Sequence, residues 1–278
     1  MKTIKLTILA YETPVTYAYL TGMKVAGYQP EKIIDLRLVP KRDETQYFVK
    51  IFGIKAAAYT FNRIQRLRIR SKINHELSKT LLRNIPIQPD YFSDIDYRTY
   101  TADVQRIYAY GLDDPRLIEA IASQEATTFL YTAGGIMPKT VLDIPGKKFI
   151  HIHPGIVPYV KGSDGFFWSL LTRGRPGMSC FYMNSGIDTG EILMTREFEC
   201  PEFDILSTDR SYNALYQAIL MFYDPILRTQ LLIDVIQKYE NNPTMSDLPR
   251  VFQDQDEGRT YFTMHTRLRN RVIDQLLR

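Results

Sequence analysis

Apolar and polar positions along the chain alternate between two rhythms. IKLTILAY (residues 4–11) is apolar enough for a strand buried on both faces. Thr13-Pro14 follows as a helix start, with Thr as N-cap and Pro at the first helical position. That helix extends to about Ala26, with Gly27 as its stop. KIIDLRLV (32–39) is the next strand, and strand, helix, strand in this order opens a parallel α/β sheet. Residues 43–85 carry helical periodicity. Ile64, Leu67, Ile69, Ile73 and Leu77 are predicted to turn inward. Arg63, Arg66, Arg68, Arg70, Lys72 and Lys79 form either a solvated face or a surface for phosphate or RNA, and charge runs favour the solvated face. His75 is expected to be exposed.

Further strands are predicted at 104–110, 127–132, 147–153, 177–184 and 191–199. Helices are predicted at 115–123, capped by Asp113 or Asp114, and at 138–143, 164–173 and 209–239. The tail from Asn241 is irregular and ends in the helix RLRNRVIDQLLR. The expected fold class is α/β, a Rossmann-like, mostly parallel sheet flanked by helices. A helical insertion falls at about 43–90. Residues 1–200 form the expected catalytic domain, and residues 201–278 a mostly helical C-terminal extension packed on it.

Composition changes this picture little. The 278 residues are 45% hydrophobic and 24% charged, ordinary values for a globular protein. The net charge of +4 does not argue for nucleic acid by itself. Cys180 and Cys200 are the only cysteines, so no disulfide framework is needed, and a reducing, cytoplasmic setting is the expectation. The opening MKTIKLTILAYETP has too short an apolar core for a signal peptide. No run reaches the roughly 20 apolar residues of a membrane span. Cys180 is expected to be a buried small hydrophobe.

Candidate chemistry centres on FIHIHPG (149–155). His151 and His153 are two apart in a predicted strand and share a face. They stand at the C-terminal end, where open α/β sheets bind ligands. Three readings are open on these residues alone. The imidazoles can be satisfied by loop backbone, they can join a carboxylate as metal ligands, or they can do acid–base and oxyanion work.

The flanking sequence resembles the folate-dependent formyltransferases. The resemblance rests on Gly134-Gly135-Ile136-Met137-Pro138, His153-Pro154-Gly155, Pro158, Lys161-Gly162, Trp168 and Gly186-Ile187-Asp188-Thr189-Gly190-Glu191-Ile192-Leu193, and covers about 130–195. It implies transfer of a formyl group from 10-formyltetrahydrofolate to a primary amine. His153 and Asp188 would handle protons. Gly134, Gly135, Ile136, Met137, Gly186 and Ile187 would hold the folate. The family asparagine position holds His151, which would stabilise the oxyanion and, if protonated, add charge. Metal-dependent hydrolysis or lysis through His151, His153 and Asp188 is the alternative, and a non-catalytic folate- or nucleotide-binding relative is another.

The loop after the first strand, Ala10-Tyr11-Glu12-Thr13-Pro14, lacks the glycines that family members with phosphorylated ribosyl acceptors carry, and Glu12 is expected to repel phosphate. Glu12, Tyr159 and Asp164 are candidate acceptor contacts, and Tyr131, Tyr159 and Trp168 candidate pocket walls. Ser163 or Asp164 can also cap the next helix. The chain after Leu193 reads as helical, without the C-terminal barrel of the tRNA enzyme. Gly258-Arg259-Thr260-Tyr261-Phe262 resembles the tails of small-acceptor members. His265 is expected in a packing or surface role. The expected partner is therefore a small-molecule amine (amino sugar, amino acid or natural-product intermediate), with tRNA the lesser option and no resident metal.

Overall fold

The computed structural model describes residues 1–277 except 73–74, 84, 88, 91–93, 206–210, 243 and 255, and only the backbone of 68–72 and 75. The elements in chain order are β1 (Lys2–Ala10), α1 (Pro14–Val25), β2 (Tyr28–Leu38), α2 (Asp43–Lys72), α3 (His75–Leu82), β3 (Val104–Ala109), α4 (Pro115–Ala122), β4 (Thr128–Tyr131), α5 (Lys139–Leu142), β5 (Lys148–His153), β6 (Val160–Gly162), α6 (Gly165–Arg173), β7 (Gly177–Tyr182), β8 (Ile192–Glu197), α7 (Tyr212–Ala218), α8 (Asp224–Tyr239), β9 (Arg259–Tyr261) and α9 (Thr266–Asp274).

Seven strands form one sheet in the order β3-β2-β1-β4-β5-β7-β8. The first five run parallel, and β7 and β8 are antiparallel to their neighbours. One face packs Ile4, Leu6, Ile8, Ile150 and Ile152 against α1, α6 and α8. The other packs Leu9, Ile34, Phe129 and Phe149 against α4 and α5. Burial on both faces is why these strands read as continuous apolar runs. A second, two-stranded sheet pairs β6 with β9. Three residues per strand are too few to display an alternating pattern.

The local signals hold at the helix ends. The Thr13 side chain accepts the Thr16 N–H, and Asp114 accepts the Arg116 N–H. His265 is a surface cap, its Nδ1 accepting the Arg267 N–H. Cys180 is fully buried. Asp164 stands at the start of α6, but neither of its oxygens caps that helix. The predicted helix 209–239 is interrupted. Residues Ile219–Tyr223 form a π-helical turn between α7 and α8, and Pro225, which has no N–H to give, follows it. Residues 209–210 lie outside the described residues.

Helix α2 corrects an expectation. It bends at Gly53, whose φ of 80° is left-handed. Beyond the bend, Ala58 and Asn62 face the sheet and are buried. Positions 58, 62 and 66 share one face of a helix, so Arg66 turns inward. Ile64 and Leu67, predicted to turn in, are 43% and 57% exposed. Leu77 is buried as expected. Ile73, and the side chains of Arg68, Ile69, Arg70, Lys72 and His75, lie outside the described residues. Among the described residues no helix is long and apolar enough to cross a membrane.

Candidate active site

The C-terminal end of β5 brings both histidines to one cavity of about 550 Å³. Its wall includes His151, His153, Asp188 and Arg228, together with Gly134 to Met137, Phe181, Met183, Gly186 and Ile187. The volume lies within the usual range for small-molecule sites, about 300–1,000 Å³. Asp164 and Thr260 to Phe262 complete another side. Ile136 and Ile187, at 73% and 47% exposure, are large apolar groups that water covers poorly.

His153 is buried, and its ring is fixed from one side. Nε2 lies 3.0 Å from the Val160 carbonyl oxygen, which only accepts, so the proton sits on Nε2. Glycine is required around this ring. A Cβ on Gly155 would stand 2.7 Å from Nε2, and one on Gly165 would stand 3.1 Å away. Nδ1 then carries a lone pair, and it faces Asp188 Oδ2 at 3.4 Å. Asp188 is itself held, in a left-handed backbone conformation, by the Gly162 N–H donating to Oδ2 at 2.7 Å. Burial lowers the His153 pKa below its usual value, against an upward pull from Asp188. A neutral ring and a carboxylate thus point two acceptors at the same space.

His151 sits in a row of cross-strand neighbours. Tyr131 and Phe181 place ring centres 6.4 and 5.9 Å from it. Its Nδ1 is buried without a well-aligned hydrogen-bond partner among the described residues. Burial, then Arg228 and His153, push its pKa down to about 3. The added charge that a protonated ring would bring does not arise. At neutral pH His151 is a neutral imidazole carrying one N–H.

Sequence reasoning missed Arg228. It comes from α8, donates from Nε to the buried Asp224 at 2.7 Å and from Nη1 to the Ile152 carbonyl at 3.1 Å, and reaches the cavity wall. Burial pulls its pKa down, and Asp224 and Tyr19 raise it by more, so it remains charged. A signal existed: Asp224 and Arg228 form an i, i+4 pair inside the apolar run YDPILRTQLL.

Other candidates fall differently. Asp164 lies on the cavity wall with its oxygens engaged by the Tyr216 hydroxyl and the Met264 N–H. Tyr131 is buried, and Trp168 stacks on Tyr261 at 4.5 Å. Tyr159 does not line the cavity; it is 46% exposed, with the Arg173 guanidinium over its ring. Glu12 does not reach it either. Its carboxylate is paired with Arg37 and Arg66 at 2.9 Å each.

His151, His153 and Asp188 offer ligand atoms within 4.8 Å of one another, a possible cation site. Two features oppose a metal. Asp188 Oδ2 already accepts the Gly162 N–H, and the Arg228 guanidinium raises the local positive potential.

The family model described as formyl transferase matches residues 96–221, a span that contains both histidines, Asp188 and the 134–137 segment. A methionyl-tRNA formyltransferase from Syntrophus aciditrophicus is 36% identical over 136 residues, covering 47% of this chain and 41% of that protein. One from Clostridium perfringens is 33% identical over 89 residues, 31% of this chain and 29% of that protein. The chain therefore spans less than half the length of these relatives. A sugar N-formyltransferase structure from a Shewanella species superposes with a TM-score of 0.45 at 13% identity, over 98% of this chain and 86% of that one. The similarity thus lies in residues 96–221, the span that holds the histidine strand, and it is to the formyl transferase family.

Proposed function

We propose that the protein transfers a formyl group from 10-formyltetrahydrofolate to a primary amine on a small-molecule acceptor. The observation that carries this reading is the facing pair of acceptors, His153 Nδ1 and Asp188 Oδ2, 3.4 Å apart on the wall of a largely apolar cavity. Such a pair takes up protons from an attacking amine.

The lining of the cavity suits a flat folate ring. The Gly134–Gly135 backbone has open space in front of it. Ile136, Met137, Phe181 and Ile187 supply apolar walls. These residues would hold 10-formyltetrahydrofolate, which when bound supplies the carbonyl carbon to be transferred. As the amine forms its bond to the formyl carbon, His153 would accept the amine proton on Nδ1 and give it to the folate nitrogen whose bond to that carbon breaks, with Asp188 stabilising the imidazolium in between. His151 offers a neutral N–H, and Arg228 a fixed positive charge, to an oxygen that becomes negative. Arg228 thereby compensates for the missing asparagine amide.

Calorimetry with a stable folate analogue, followed by a panel of amines read by the mass gain of one formyl group, tests this reading. The panel includes amino sugars, amino acids and methionyl-tRNA, the acceptor named for the relatives. Failure of the analogue to bind at millimolar concentration refutes the cofactor assignment. Formylation of methionyl-tRNA alone replaces the small acceptor.

A further inference from the structure

A second cavity, of about 510 Å³, lies between α2 and the sheet and is walled by Arg37, Arg63, Arg66, Arg106, Tyr59 and Tyr108. Three of the four guanidiniums are held by carboxylates, of which Asp94 itself lines the cavity. Asp35, 1% exposed, takes Arg37 Nε and Arg106 Nε at 2.7 Å each. Glu12, 10% exposed, takes Arg37 and Arg66, and Asp94 takes Arg66 as well. Glu12, expected to repel phosphate, is paired with two guanidiniums here.

The fourth guanidinium, Arg63, pairs with no carboxylate among the described residues. Its one hydrogen bond there runs from Nη1 to the Tyr59 hydroxyl at 3.3 Å. Among the described residues, four cations against three carboxylates leave an excess positive charge facing the cavity. A purely structural lattice would need only the three paired arginines. Each guanidinium has five N–H groups, and Arg63 and Arg106 each engage few of theirs in these contacts. Buried acids fix the forks in place, and several forks around one space suit an oxyanion with oxygens on all sides better than a planar carboxylate.

The cavity opens beside β2 and β3, in the same parallel sheet as the histidine strand. Strand β2 is three places from β5, about 14 Å at the usual interstrand spacing.

We propose that this cavity is a binding site for a phosphoryl or diphosphoryl group. Resting on the formyl-transfer reading, it deepens it: an extended acceptor would place its amine at His153 and its phosphoryl group at Arg63 and Arg106. A free phosphate-type anion shares the same chemistry.

Calorimetry of the full chain with inorganic pyrophosphate tests the site without any transfer assay. Arg63→Gln breaks no ion pair among the described residues, and Arg106→Gln leaves Asp35 held by Arg37. Each is expected to weaken pyrophosphate binding by roughly ten- to a hundredfold, as loss of a charged hydrogen bond does. His153→Gln should leave binding unchanged. No binding at low millimolar pyrophosphate, or equal affinity in Arg63→Gln, overturns the proposal. The source is separated by kinetics. If the group belongs to the acceptor, Arg63→Gln raises KM for phosphoryl-bearing amines and not for phosphate-free ones. If the anion is free, Arg63→Gln abolishes the effect of added pyrophosphate on rate and leaves both KM values unchanged. Should no amine be formylated, the calorimetry still decides the site.

Discussion

Arg228→Met isolates the buried pair beneath the cavity. Asp224 is fully buried, and Arg228 is its salt-bridge partner among the described residues. Methionine keeps much of the side-chain length and removes the charge. Removing one member of a buried pair leaves an uncompensated charge and costs about 3–5 kcal/mol, a large share of a total stability near 5–15 kcal/mol. The hydrogen bond to the Ile152 carbonyl is lost too, at about 1 kcal/mol. Adding Asp224→Asn removes the orphaned charge, so the double variant should recover at least about 2 kcal/mol of the single variant's loss. Urea denaturation at neutral pH measures all three proteins. The pH dependence supplies a signed check. Burial already holds the Asp224 pKa above its usual value of 3.8, with Arg228 opposing. In Arg228→Met that opposition is gone, and the folded-state pKa rises further. Between the unfolded and folded pKa values the native state binds more protons, so stability falls as pH rises. The deficit of Arg228→Met should therefore shrink as pH is lowered from neutral toward 4, while the double variant shows no such recovery. A single variant as stable as the parent, or a double variant no better than the single one, refutes the pairing.

Asp188→Asn should lower kcat for formyl transfer by about 10²–10⁴-fold, the usual worth of acid–base groups, with an unfolding midpoint close to the parent's; a loss below threefold removes Asp188 from the proton path. His151→Asn should keep measurable transfer, because the imidazole it replaces is already neutral near pH 7; complete loss would assign His151 another role. Gly155→Ala forces a Cβ against His153 Nε2 and the Val160 carbonyl, and should cost about 1–3 kcal/mol of stability, read by thermal unfolding, together with activity. Metal analysis of the purified protein should find far less than one zinc or iron per chain; a stoichiometric ion lost in His151→Ala would restore the metal reading.

Much of the fold was legible because its signals are local. Thr13-Pro14, Asp114-Pro115 and Gly27 act within a turn of where they stand, and apolar runs buried on both faces mark β1 and β2 whatever lies beside them. What escaped depends on neighbours distant in sequence. Nothing within residues 43–72 announces that the sheet-facing stripe passes through Ala58, Asn62 and Arg66 rather than Ile64 and Leu67. The choice is made by Glu12 and Asp94, which draw Arg66 inward. Likewise β6 and β9 are strands only because residues nearly 100 positions apart meet.

The candidate site divides along the same line. His153 and Asp188 were legible because the motif around each is contiguous. The state of His151 was not. Its substitution for asparagine introduced a group that can titrate and left its charge open, because charge on a side chain is set by what surrounds it. Tyr131 and Phe181 flank the ring, and a guanidinium from α8, 77 residues further along the chain, adds positive potential. Burial disfavours a charged ring first, and the Arg228 guanidinium fixed by Asp224 adds repulsion, so the histidine stays neutral near pH 7. The substitution and the arginine are thus one arrangement. On the proposed reading, where asparagine alone would give a neutral donor, the work is divided between a neutral donor on β5 and a permanent charge on α8.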